Sequence, residues 1–140
     1  MKISRTVVLA LALPISLAAQ QPQADASGPI TTVFRNATMG RQRNLAQAFD
    51  SIPEAKFSFK PTPAQQTIGF IAQHLANDNY FFCDQFGTMK GTRSAEETST
   101  PDSVKATWPK AKLVEQLKAS FTYCEQAFKQ ITDASLVEQV

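Results

Sequence analysis

The sequence predicts an all-α helical bundle, and three observations carry that reading. Three long segments place apolar residues at helical spacing. Prolines and glycines bound those segments, and no pair of alternating strands is found between them. A polar connection spanning 87–107 precedes the third segment, and a bundle uses such a length as a crossover that lets successive helices run parallel.

The elements follow in order. Residues 1–19 have the three parts of a secretory leader: Lys2 and Arg5, an apolar run from Val7 to Leu13 continued past Pro14, and small residues at Ser16, Ala18 and Ala19. Residues 20–29 are polar and form a flexible lead-in to a domain over 30–140. The first helix is expected over 31–51, with Val33, Phe34, Ala37, Leu45, Ala48, Phe49 and Ile52 as its apolar stripe and Pro53 as its stop. Phe57-Ser58-Phe59-Lys60-Pro61-Thr62-Pro63 alternates, but Pro53, Pro61 and Pro63 make it a connection rather than a strand. The second helix begins at Pro63 or Thr67 and runs to Phe86, with Ile68, Ile71, Leu75, Phe82 and Phe86 facing inward and Gly87 closing it. The third starts at Trp108 or Pro109 and ends at Ile131. Its stripe of Leu113, Leu117, Phe121, Cys124, Phe128 and Ile131 is the cleanest in the chain.

Composition excludes several classes. The 140 residues carry 14 Lys and Arg against 12 Asp and Glu, and loss of the leader leaves twelve of each. A chain without a cationic excess does not suit nucleic acid. The apolar run of the leader is short for a membrane span and Pro14 interrupts it, so no stable anchor is expected after cleavage. Apolar content of 43% is that of a globular domain. No Gly-rich phosphate loop, nucleophile elbow or paired-carboxylate helix motif occurs, and no catalytic residue is assigned. Arg35, Arg41 and Arg43 read as a solvated helix face, Asn36-Ala37-Thr38 as a glycosylation-type triplet on a helix, and Glu96-Glu97 as loop charge.

Cys83 and Cys124 are the two cysteines. In an exported chain they suit a disulfide, with two unpaired core thiols as the alternative. The choice depends on topology. In antiparallel helices the two would lie on the order of 20 Å apart along the axis, whereas a parallel pair puts them level. His74 is the single histidine and is expected at the edge of the buried seam of the second helix. A lone histidine there is either a hydrogen-bonded boundary residue or a metal ligand. Asp78, four residues on, is a weak second donor, and Cys83 is roughly 13 Å further along the helix, too far to share an ion.

The segments Phe57-Ser-Phe-Lys-Pro-Thr-Pro63, Ile68-Gly-Phe-Ile-Ala-Gln-His74-Leu-Ala, Tyr80-Phe-Phe-Cys83 and Leu117-Lys-Ala-Ser-Phe-Thr-Tyr-Cys-Glu125 together resemble exported members of the DinB-like (DinB/YfiT) family. The resemblance implies a four-helix bundle with a long crossover between helices 2 and 3. It also implies a divalent metal (Zn, Ni, Mn or Fe) held by three histidines, one at the position of His74 and two in an H-x-x-x-H on a fourth helix. The expectation is that this chain stops before that helix, so that it does not hold metal tightly by itself. Relatives of this kind include metal-dependent thiol transferases and an isomerase that uses a thiol cofactor. The leading functional expectation is an exported metal-dependent thiol transferase or hydrolase acting on a small molecule. The competing ones are a non-catalytic helical binding module of the cell envelope, and a truncated chain whose open Phe-rich seam drives self-association, for example as a homodimer.

Overall fold

The computed structural model describes residues 28–137, and the expected leader lies outside them. Within the described residues every regular element is helical: α1 (Pro29–Ser51), a 3-10 turn (Glu54–Lys56), α2 (Ile68–Cys83), α3 (Ala95–Ser99), α4 (Asp102–Lys105) and α5 (Lys110–Phe128). None of these helices is long and apolar enough to cross a membrane.

Local chemistry sets the ends. Gly28, at φ 88°, turns the chain into Pro29 in the first turn of α1. The cap comes from far along the chain: the Asp133 carboxylate accepts from Ile30 N at 3.1 Å, Thr31 N at 2.8 Å and Thr31 Oγ1 at 2.9 Å. This remote cap lets α1 begin two residues earlier than the pattern predicts. Of the two starts offered for the second helix, Thr67 is the one used, its hydroxyl accepting from Phe70 N at 3.0 Å. Thr62 and Gln65 close a separate turn instead. The polar connection is not a bare loop. Ser94 and Glu97 form a reciprocal capping box that starts α3, and Pro101 precedes α4.

Helix α5 is the centre of the bundle, and α1 and α2 each pack mainly on it. α1 runs antiparallel to α5. At one end Lys110 Nζ donates to Asp50 O and Ile52 O, both at 2.7 Å. At the other, Arg35 donates to Phe128 O and Ile131 O, both at 2.6 Å. α2 runs parallel to α5, as the crossover expectation requires. Asn79 Nδ2 donates to Ser120 Oγ at 2.9 Å, and Cys83 and Cys124 are joined in a disulfide with Cα atoms 5.3 Å apart. All six residues of the predicted α5 stripe are buried.

The stripes predicted for the other two long helices are only partly the buried ones: Phe49 is buried as expected, and Ile52, Ile68, Leu75 and Phe86 pack half-buried against the core. On α2 the buried residues are Gly69, Ala72, Gln73, Ala76, Tyr80 and Cys83, while Ile71 and Phe82 are exposed. On α1 they are Thr31, Gln42 and Phe49, while Val33, Phe34 and Leu45 are exposed. Close approach explains α2. The backbone of Gly69 lies so near Ala106 O that an added Cβ would come within 2.3 Å of it, and only a face of small residues permits such a contact. On α2 the exposed Ile71 and Phe82 lie roughly 140° around the helix from the buried row, while on α1 Val33 lies nearly opposite the buried row and Phe34 and Leu45 sit beside it. Ser120, Tyr123 and Cys124 of α5 meet α2 through Asn79, Tyr80 and Cys83, whereas Lys118 and Phe128 meet α1 through Asp50 and Phe34. Ile71 and Phe82 thus form an exposed apolar row on the side of α2 away from α5.

Two outcomes are expected. Gly69→Ala should lower stability by about 1–3 kcal/mol, despite the better helix propensity of alanine, because it drives a methyl group into a backbone carbonyl; an unchanged denaturant midpoint would mean that α4 moves aside freely. Removing the disulfide, which spans 41 positions, should cost about 4 kcal/mol in the chain-entropy picture. Urea unfolding of the oxidised and reduced protein measures this.

Candidate functional site

His74 lies on the outer side of α2, one turn from the exposed Ile71, rather than at a buried seam. Its side chain is 52% exposed, which corrects the expectation of an edge-of-core position. Two neighbours on its own helix hold the ring. Nε2 is 3.3 Å from Asp78 Oδ2, one turn on, and the ring stacks on Phe70, one turn back, with centroids 5.7 Å apart. Asp78 was the weak second donor of the sequence pattern, and the geometry brings it to His74. Cys83 is in the disulfide and offers no thiolate.

Among the described residues no group of three histidine, cysteine or carboxylate side chains converges. One imidazole and one carboxylate supply two donors, and protein-bound divalent ions take at least three protein ligands in the common catalytic sites. Among the described residues, His74 and Asp78 therefore supply two of the donors that such a site uses.

Two concave regions flank His74. On the Phe70 side is a cleft of about 640 Å³ between the 3-10 turn, the start of α2 and the α4–α5 junction. Phe57, Phe70 and Trp108 wall it, and Lys60, Lys110 and Glu54 bring charge to it. On the Asp78 side is a polar hollow between α2 and the crossover, where Asn77, Asp78, Arg93, Asp102 and Lys105 meet. Lys105 is buried, yet its ammonium is fully engaged: it lies 2.8 Å from Asp102 Oδ1 and 3.3 Å from both Asn77 Oδ1 and Glu97 O. That bonding from Lys105 holds the Asp102 carboxyl below its ordinary range. Sequence reasoning missed this cluster. The Ser94-x-x-Glu97 capping signature was legible, but the folding of the crossover back over α2 was not.

A second polar link supports the disulfide end. Tyr123 donates its hydroxyl to Asp84 Oδ1, Gly91 N donates to the same oxygen at 2.9 Å, and the Tyr80 and Tyr123 rings stack with centroids 5.3 Å apart. Burial, then the Asp84 bond, pushes the Tyr123 hydroxyl up to about 12, and the same bond pulls Asp84 down.

A helical bundle with a long crossover between parallel second and third long helices defines a fold class, and a family match makes it particular. The DinB superfamily model matches residues 38–139, and the chain belongs to that superfamily. No curated protein and no solved structure matches the chain.

Tyr123→Phe should lower stability by about 1–2 kcal/mol, since it strands a carboxylate that keeps only its backbone partner. Asp84 and Asp102 both lie below their unfolded values, so their contribution is present above about pH 4 and is lost as pH falls through the folded values. Tyr123 works in the opposite sense: its contribution is present below about pH 10 and is lost as pH rises toward 12. A melting-temperature profile should accordingly be flat through neutrality and fall at both ends, with the alkaline fall reduced in Tyr123→Phe.

Proposed function

We propose that the protein is an exported, divalent-metal-dependent member of the DinB superfamily acting in thiol transfer or hydrolysis on a small molecule. His74 is the imidazole donor contributed by the described helices, and Asp78 orients it. The remaining donors come from a helix that packs on the exposed apolar row of α2. The single observation that carries this reading is the position of His74: an exposed imidazole, held at 3.3 Å by a carboxylate and stacked on a ring, beside the exposed apolar row of α2. The disulfide supports export, because such a bond persists in oxidising compartments. When bound, the metal would supply Lewis acidity to a thiol or water. What these residues do themselves is hold and orient one donor.

Metal analysis of the protein isolated from its own cells tests this. Stoichiometric Zn, Ni, Mn or Fe is expected, lost in His74→Ala and weakened roughly tenfold or more in Asp78→Asn, the usual cost of a missing orienting group. Absence of stoichiometric metal would overturn the reading in favour of a non-catalytic binding module of the envelope. The exposed apolar row of α2, with Ile71 44% and Phe82 58% exposed, suits that module as a helix-docking surface.

A further inference from the structure

We infer that the cleft between the 3-10 turn, the start of α2 and the α4–α5 junction binds an aromatic carboxylate, a small molecule with one or two fused rings and one anionic group. Four features of the cleft support this. Its volume of about 640 Å³ lies within the range of small-molecule sites, roughly 300–1,000 Å³. Its apolar wall is aromatic, with Phe57, Phe70 and Trp108 on separate segments, which suits a flat ring more than a flexible chain. Its polar edge carries two ammonium groups, Lys60 and Lys110, against one carboxylate, Glu54. Lys110 is fixed rather than mobile: two of its three protons go to Asp50 O and Ile52 O, each at 2.7 Å, and its ammonium lies 6.0 Å from the centre of the Phe57 ring. Those carbonyls bear no formal charge, so the ammonium keeps its positive charge and one proton for an anion at the rim.

The rest of the wall is equally preorganised. Gly69 N donates to Phe57 O at 2.9 Å, tying the 3-10 turn to the first turn of α2. Lys112, which does not line the cleft, sits 3.6 Å from the centre of the Trp108 ring and steadies it from outside. Phe70, which stacks on His74, makes the cleft and the histidine neighbours, but binding in the cleft requires no metal.

The sequence contains one tryptophan, so the Trp108 indole N–H gives a single, assigned NMR signal at the cleft wall. The experiment titrates the whole protein, in the presence of chelator, with 2-naphthoate and separately with its neutral isostere 2-naphthamide. A saturable shift of the indole signal is expected, with the carboxylate about tenfold tighter than the amide, and Lys60→Gln should reduce that preference several-fold without changing amide binding. Phe82→Ser, on the distant exposed row of α2, should leave both titrations unchanged. No shift at millimolar 2-naphthoate would overturn the proposal. So would equal affinity for acid and amide, or a response abolished by Phe82→Ser, which would mark adsorption to that exposed row. Because chelator is present, failure here is distinguishable from failure of the metal reading, which metal content alone decides.

Discussion

The parallel packing of α2 on α5 is the contact on which the rest of the structure depends. It requires close approach, and the chain meets that requirement with Gly69, Ala72 and Ala76 on one side and Leu113, Leu117 and Ala127 on the other. The disulfide covalently fixes its far end. Two successive helices can be parallel only if the connection returns the chain along the full length of the bundle. The crossover does so, and its two short helices, the buried Lys105 and the Asn77–Asp102 bonds make it part of the wall.

That packing dictates what α2 shows to the outside. Once the small residues face α5, the large ones have nowhere to go but the remaining sides: Ile71 and Phe82 lie on the side away from α5, with Phe81 and His74 beside them. The histidine is thus presented, not buried, and its surroundings are assembled from three stretches of chain. Phe70 and Asp78 come from its own helix, the Trp108 cleft from the α4–α5 junction, and the polar hollow from the crossover. α1 contributes less to the site and more to its frame. It is held at both ends by long-range polar contacts, Asp133 at its start and Lys110 at its finish, and buries only Thr31, Gln42 and Phe49.

Much of the architecture was legible in the residues. The stripe of α5 was correct at every position because α5 is enclosed by two partners, so its apolar residues have no alternative to burial. Thr67 as a cap, Pro53 as a stop and the level placement of Cys83 and Cys124 in parallel helices were likewise readable, since capping and loop length are local properties. The exposed members of the rows on α1 and α2 were misread for one shared reason. Hydrophobicity marks every face that prefers to leave water, and it does not say which of those faces meets a partner among the described residues. Phe82 and Ile71 outscore Ala72 and Ala76 on any such measure, yet the small pair is inside because the distance between backbones, not side-chain hydropathy, selected it.

The sequence by itself determined the all-helical class, the order of the elements, the pairing of its two cysteines as one of two alternatives, and the one-turn spacing of His74 and Asp78, since these follow from periodicity, capping chemistry and i, i+4 spacing. Only the tertiary structure decided that α2 turns its smallest residues to α5 and that the crossover folds over α2. It also decided that Phe57, Phe70 and Trp108 enclose one cleft. Those outcomes depend on contacts between residues distant in the chain, which no local pattern encodes.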